Sequence, residues 1–104
     1  MSDYCIVIST FSNDQDANII INEILKEKLA ACIQTININS HYTWNNEVCH
    51  DKEVLVLFKT KRELYKDLEL KIQNMHNYDT PEIISIDIDS GLNKYFKWID
   101  DVSK

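Results

Sequence analysis

The stretch Trp44–Val48, WNNEV, separates two apolar runs and predicts how they are joined. Asn tolerates a positive φ better than any residue except Gly, so Asn45–Asn46 is typical of a tight hairpin turn. Before the turn, Ile36 and Ile38 alternate with polar neighbours, and after it the run Val54–Phe58 is continuously apolar. Both patterns are typical of strands. The stretch therefore predicts a hairpin of two long strands in the middle of the chain.

A helical pattern flanks this hairpin on each side. The segment before it opens with Ser12 three residues before Gln15, which suggests a capping box. Apolar residues recur at helical spacing in both segments: Ile20, Ile21, Ile24, Leu25 and Leu29 in the first, and Leu64, Leu68, Ile72 and Met75 in the second. In this interpretation Cys32 is a small buried hydrophobe at the end of the first helix.

Strand patterns return towards both ends of the chain. Tyr4–Thr10 is a β-branched run, and near the other end Ile84, Ile86 and Ile88 alternate with polar residues before an amphipathic helix over Leu92–Val102. The order βαββαβ predicts an α+β, ferredoxin-like fold with a four-stranded antiparallel sheet and one extra C-terminal helix. Right-handed crossovers place both main helices on one face of that sheet. Because the other face is too apolar to remain in water, we expect a homo-oligomer that uses the hairpin as an exchange element.

Length and composition favour one domain over residues 1–104. The formal net charge of −6 repels phosphate backbones, so no nucleic-acid partner is expected. No apolar run reaches the roughly 20 residues that span a bilayer, so no membrane partner is expected. Three cysteines without CxxC spacing argue against a disulfide framework. With no signal-peptide pattern at the start, we expect a cytoplasmic protein.

The only proline, Pro81, lies in the stretch His76–Ile84, HNYDTPEII. Proline disfavours the α region for the preceding Thr80, so we expect Pro81 to stop the second helix and to begin the last strand. Glu82 projects from that strand start, either as a surface acid or as part of a site. The residues alone do not separate these two interpretations.

Five blocks in this order resemble the CutA family of divalent-cation tolerance proteins: EKLAACIQTIN (Glu27–Asn37), YTWNNEV (Tyr42–Val48), EVLVLFKT (Glu53–Thr60), YDTPEII (Tyr78–Ile84) and YFKWID (Tyr95–Asp100). The resemblance covers nearly the whole chain. It implies a ferredoxin-like fold assembled as a tight homotrimer whose sheets meet around a threefold axis. It also implies copper binding and metal tolerance, without established catalysis.

The resemblance further implies a weak copper site. Bacterial relatives have a cysteine in the first strand, where this chain has Ser9, and two adjacent histidines, where it has Met75–His76. His76 is then the only strong ligand of the three. Met75 offers a thioether to Cu(I) in one interpretation and is a core residue in the other.

A second thiol and imidazole pair is Cys49–His50, which the turn brings near His41. Thiolate and imidazole suit Cu(I) and Zn²⁺. Adjacent strand residues point to opposite faces, however, so Cys49 and His50 cannot readily share one ion. The alternative is a set of solvated polar residues on a hairpin.

The resemblance also implies a cleft between subunits formed by recurrent aromatic and charged residues: Tyr42, Trp44, Glu53, Lys59, Tyr78, Glu82 and Trp98. A lysine beside glutamates binds a small anion or performs acid–base chemistry in one interpretation, and forms an interfacial ion pair in the other. With one glycine in the chain there is no phosphate-cradling loop, and no nucleophile elbow or metalloprotease motif is present.

The sequence thus predicts a small trimeric protein, without organic cofactor, that binds copper or another transition-metal ion weakly and acts in metal homeostasis or as a stable scaffold. It is not expected to be an enzyme. The alternative is a small-metabolite sensor or enzyme that uses Lys59 and Glu82 in the cleft between subunits.

Overall fold

The computed structural model describes residues 1–104, which form one antiparallel sheet and three α-helices. The elements are β1 (Tyr4–Phe11), α1 (Asp14–Lys26), β2 (Cys32–Trp44), β3 (Glu47–Lys61), a 3₁₀ turn (Arg62–Leu64), α2 (Tyr65–Met75), β4 (Ile83–Asp87) and α3 (Asn93–Val102). The strand order is β2-β3-β1-β4. This confirms the predicted ferredoxin-like α+β fold with an additional C-terminal helix. None of the helices is long and apolar enough to cross a membrane.

The central hairpin forms as the WNNEV stretch predicts. Asn45 and Asn46 have φ values of 50° and 64°, which is the pair of left-handed residues that a type I′ turn needs. β2 and β3 pair continuously from Trp44 opposite Glu47 to Cys32 opposite Lys59. β1 pairs with β3 only as far as Phe11 opposite Val54, so the hairpin continues beyond the end of β1. We call this two-stranded extension, residues 38–53, the hairpin arm.

The core lies between the sheet and the two main helices. Its strand residues alternate along β1 and β3, and its helix residues come from the apolar stripes of α1 and α2. The fully buried members include Cys5, Val7, Phe11, Val56, Phe58, Ile20, Ile24, Leu68 and Ile72. The stripes predicted at helical spacing therefore face the sheet, with the exception of Leu25, which is 44% exposed.

The ends of α1 differ from the sequence prediction. The N-cap is Asn13, whose side-chain oxygen accepts a 2.8 Å hydrogen bond from the Asp16 amide, so the capping box at Ser12 was wrong. The helix ends at Lys26, and Lys28 adopts a φ of 59° while the Leu29 amide donates to the Ile24 carbonyl. This is a Schellman ending without glycine.

Two further predictions about helix ends were wrong. Cys32 was predicted to be buried at the end of the first helix, but it is the first residue of β2 and is half-buried. Pro81 does not stop α2, because that helix already ends at Met75 and His76 is extended, with φ −74° and ψ 141°. Pro81 instead lies in the loop that leads into β4.

The face of the sheet opposite α1 and α2 is largely uncovered. α3 packs across one end, where Tyr4 stacks on Phe96 at 4.2 Å and Ile99 is fully buried. Elsewhere this open sheet face presents isoleucines, of which Ile36, Ile84 and Ile86 are each about half exposed. The apolar face expected from the strand patterns is therefore present in the single chain.

Candidate functional site

A cleft of about 770 Å³ lies between the hairpin arm and the loop that connects α2 to β4. Its lining is mostly polar: Thr10, Ser12, Ser40, His41, Tyr42, Trp44, Asp51, Lys52, Glu53, Tyr78, Asp79, Thr80 and Glu82. Four of these side chains are carboxylates and one is a lysine, so the cleft is acidic. We call it the acidic cleft.

One hydrogen-bonded chain of three side chains crosses the inner end of the acidic cleft. Tyr78 donates its hydroxyl hydrogen to Glu53 Oε2 at 2.6 Å, and Ser12 Oγ donates to the Tyr78 hydroxyl at 3.0 Å. Burial, followed by the bond to Glu53, raises the pKa of Tyr78 to about 12. Tyr78 is therefore a hydrogen-bond donor at neutral pH that holds the Glu53 carboxylate in place.

A second tyrosine and carboxylate pair lies further out on the arm. The Tyr42 hydroxyl donates a hydrogen bond to Asp51 Oδ2. Tyr42 lies opposite Cys49, so Asp51 is its diagonal neighbour on the same face of the hairpin. The bond to Asp51 and then burial raise the pKa of Tyr42 to about 12. Beyond this pair, Trp44 forms the half-exposed rim.

His76 anchors the loop beside the acidic cleft. The Tyr78 amide donates to its Nδ1 at 3.1 Å, so Nε2 carries the ring hydrogen and donates to the Thr10 carbonyl at 2.8 Å. The ring also stacks on Phe11 at 4.4 Å. Burial lowers the pKa of His76, although the Thr10 carbonyl opposes this effect. The imidazole is thus held neutral with both nitrogens occupied.

The three residues predicted as metal ligands do not form an open metal site in this chain. Met75 packs against the core, and Ser9 is fully buried on the face of β1 that points towards the helices. The Ser9 hydroxyl has no hydrogen-bond partner. An ion at His76 would have to displace one of the two hydrogen bonds of that ring. No group of three His, Cys, Asp or Glu side chains converges in the chain.

Five of the seven predicted cleft residues line the acidic cleft, namely Tyr42, Trp44, Glu53, Tyr78 and Glu82. Lys59 and Trp98 lie at the other end of the sheet, where Lys59 Nζ is 5.6 Å from the centre of the Tyr95 ring and that ring is 5.6 Å from Trp98.

Lys59 and Glu82 are not brought together within the chain. Lys59 is level with Ile6, whereas Glu82 precedes Ile83, which is level with Ser9. This offset corresponds to about 13 Å along the strands. A pair between the two residues needs two copies of the chain.

Four functional candidates were absent from the sequence prediction: Ser12, Asp51, Lys52 and Asp79. Asp51 had a usable signal, since it lies two residues from Glu53 and therefore on the same face of β3. Ser12 and Asp79 lie in loops. Loop residues follow no helix or strand periodicity, so the sequence pattern does not predict where their side chains point.

The fold and site define a class of small ferredoxin-like proteins with a long hairpin and an acidic, tyrosine-lined cleft at its base. Residues 5–102 match the family described as CutA1 divalent ion tolerance protein. The chain belongs to the CutA family, as the five sequence blocks predicted.

Relatives from distant organisms share this sequence and fold. The divalent-cation tolerance protein CutA of Pyrococcus horikoshii is 35% identical over 99 residues, covering 95% of this chain and 97% of that protein. The protein of Arabidopsis thaliana named CutA, chloroplastic, is 36% identical over 95 residues, covering 90% of this chain and 52% of its own length. The crystal structure of CutA from Xylella fastidiosa superposes with a TM-score of 0.95 at 28% identity, covering 99% of this chain and 100% of that one.

Proposed function

We propose that this chain is a homotrimeric, CutA-like single-domain protein that binds divalent or transition-metal cations weakly in the acidic cleft. Its role is metal homeostasis or that of a stable scaffold, without enzymatic activity, organic cofactor, nucleic acid or membrane partner. Copper is one cation that we propose it binds. The family name supports a relation to divalent cations.

The acidity of the cleft is the observation that carries this proposal. Asp51, Glu53, Asp79 and Glu82 face a space whose only lysine is Lys52. Carboxylates attract divalent cations, and the tyrosine hydroxyls that bond to Glu53 and Asp51 orient two of them. Because no three ligands converge, we expect weak binding in which water fills most of the coordination sphere.

The open sheet face supports assembly into a trimer. Exposed isoleucines on a sheet are unfavourable in water, and a second copy of the chain would remove them from it. The hairpin arm extends beyond the end of β1 and has no third strand beside it in the single chain, which leaves its edges available to a neighbouring copy.

A copper site at His76, with Met75 and Ser9, is the location that the family resemblance implies. It would require the loop after α2 to open, because both His76 ring nitrogens are hydrogen-bonded. The acidic cleft requires no such change. We therefore place the first cation in the cleft and treat His76 as the competing location.

Titration calorimetry of the full chain with Cu²⁺, Zn²⁺, Mn²⁺ and Mg²⁺ tests both locations. We expect Glu82→Gln to weaken the binding of Mn²⁺ and Mg²⁺, which prefer oxygen ligands, about tenfold, as the loss of one carboxylate worth about 1.4 kcal/mol would do. Glu47→Gln, on the same hairpin but outside the cleft, is the matched control. If Glu82→Gln leaves the binding of Mn²⁺ and Mg²⁺ intact, the cleft proposal is wrong, and if His76→Gln abolishes copper binding, copper binds at His76.

A small-metabolite sensor or enzyme is the second candidate function. The size of the cleft and its aromatic residues Tyr42, Trp44 and Tyr78 favour it, because small-molecule sites commonly occupy about 300–1,000 Å³. Lys59 would have to come from another copy of the chain to meet Glu82. A metabolite that raises the melting temperature of the wild-type protein but not of Lys59→Ala would support this function over metal binding.

We propose a cytoplasmic location from the cysteines. Cys5, Cys32 and Cys49 are all free thiols in the structure, which suits a reducing compartment. The Arabidopsis relative is named chloroplastic, so the proposal concerns this chain alone. Localisation of a tagged full-length protein by fluorescence microscopy tests it.

A further inference from the structure

Two histidines face each other across the hairpin arm. His41 of β2 is directly opposite His50 of β3, and their ring centres are 5.5 Å apart at an interplanar angle of 71°. Both side chains are exposed. Of the chain's three histidines, only His76 takes part in hydrogen bonds. The nitrogens of His41 and His50 are therefore free to bind a ligand from solvent.

The positions of the two backbones suit chelation of one ion. Directly opposite residues of an antiparallel pair have Cβ atoms about 5 Å apart and point to the same face. Two imidazoles at that spacing can each place one nitrogen about 2.1 Å from a shared metal ion. Cys49 is adjacent in sequence but belongs to the opposite face, with Tyr42. The natural partner of His50 is thus His41.

Imidazole chemistry, not local charge, favours a transition metal at this position. The carboxylates Glu47, Asp51 and Glu53 lie on the opposite face of β3 from His50, and the charged residue of the arm on the His50 face is Lys52. Imidazole suits Cu²⁺, Ni²⁺ and Zn²⁺, and affinity for nitrogen ligands is greatest for Cu²⁺. Mg²⁺ and Ca²⁺ prefer oxygen ligands and gain little from such a pair.

We propose that His41 and His50 form a two-imidazole site for a transition-metal ion, Cu²⁺ above all, with water in the remaining positions. The site is separate from the carboxylates of the acidic cleft and from His76, and either proposal can fail without the other. His41 lines the acidic cleft and His50 does not, so the two proposed sites share one wall but no metal ligand.

If the two histidines chelate one ion, the losses of affinity in the single variants are not additive, whereas two independent histidines give additive losses. If both imidazoles hold one Cu²⁺, His41→Asn and His50→Asn should each weaken binding at least tenfold, and the double variant should lose little more than either single one. This non-additivity is measured by titration calorimetry with copper chloride on the full chain. Cys49→Ser is the matched control and should bind Cu²⁺ as the wild type does.

Electron paramagnetic resonance of the Cu²⁺-loaded wild type gives a second measurement that needs no variant. We expect superhyperfine splitting from two equivalent nitrogens, reduced to one in either single variant. Carboxylates contribute no such splitting, so the signal does not depend on whether the cleft binds a cation. Small, additive losses of affinity, or a wild-type spectrum with no nitrogen or one, would overturn the proposal.

Discussion

Glu53 and Tyr78 are joined by a 2.6 Å hydrogen bond although they are 25 residues apart in the chain. Glu53 belongs to the hairpin arm and Tyr78 to the loop after α2, so the bond ties the arm to the body of the protein. It also fixes one wall of the acidic cleft. The geometry of the cleft thus depends on a contact between two segments that no regular sheet pairing connects.

Removing the Tyr78 hydroxyl should therefore loosen the arm. We expect Tyr78→Phe to lower the free energy of unfolding by about 1 kcal/mol, because the Glu53 carboxylate loses a donor while the aromatic ring remains. Urea unfolding measures this change. Tyr95→Phe is the matched control, since the Tyr95 hydroxyl has no hydrogen-bond partner in the chain; an equal loss in both variants would refute a specific role for the bond.

Alkaline pH should destabilise the fold through the same tyrosine. The pKa of Tyr78 is raised from about 10 to about 12 in the folded chain, so the unfolded chain releases this proton first. Its contribution is complete below about pH 10 and is lost as the pH rises towards about 12. Unfolding by urea across this range should show stability falling with pH. A pH slope in Tyr78→Phe that matches the wild type would contradict this assignment.

Acid should destabilise the loop that His76 holds. The pKa of His76 is lowered from 6.5 in the folded chain, so the unfolded chain takes up a proton first as the pH falls. The contribution is present above pH 6.5 and is lost as the pH falls through the lowered folded pKa. An NMR titration of the His76 ring should give a midpoint below 6.5, and a midpoint at or above that value would show that the ring is not buried as described.

Lys28 is expected to be a suboptimal helix terminator. Its φ of 59° favours glycine, because a side chain in the left-handed region costs about 1–2 kcal/mol. Replacing Lys28 by glycine would remove this cost, but glycine loses more backbone entropy on folding, which offsets part of the stabilisation. We expect Lys28→Gly to raise the free energy of unfolding by up to about 1 kcal/mol in thermal or urea unfolding, whereas Lys28→Ala, which keeps a Cβ atom, should gain much less.

The proposed trimer should depend on the open sheet face. Ile84→Lys introduces a charge into the half-exposed isoleucine patch and should shift the sedimenting species from three chains towards one. Ile19→Lys on α1, a similarly exposed isoleucine on a helix, is the control and should remain trimeric. A wild-type protein that sediments as a monomer at micromolar concentration would refute the assembly itself.

The regular periods of the chain predicted the fold well. Local sequence was enough to predict the apolar runs of β1 and β3, the alternation in β2 and β4, the helical stripe that contains Leu68 and Ile72, and the turn at Asn45–Asn46. The errors concern features that depend on individual side chains, such as the N-cap of α1. Asn13 takes the cap that Ser12 was expected to provide, because α1 begins at Asp14 and the Asn13 side-chain oxygen accepts from the Asp16 amide.

The candidate site was only partly predictable for the same reason. Tyr42 and Glu53 were predicted as cleft residues through the family resemblance, and the strand period alone did not single them out. The role of His76 as an anchor depends on the Thr10 carbonyl and the Tyr78 amide, which are backbone groups without a sequence signal. Lys59 was grouped with the cleft although the register of β1 and β3 places it at the far end of the sheet.

The hairpin arm also determines how quickly its amide hydrogens exchange with solvent. Isolated two-stranded ribbons are only marginally stable in water, and residues 38–53 have no third strand beside them in the single chain. Their amides should therefore exchange by local opening, well before those of β1 and the inner half of β3. If a neighbouring copy packs against the arm, the same amides become slow to exchange. Deuterium uptake at the arm, compared between dilute and concentrated protein, then measures assembly at the residues that make it.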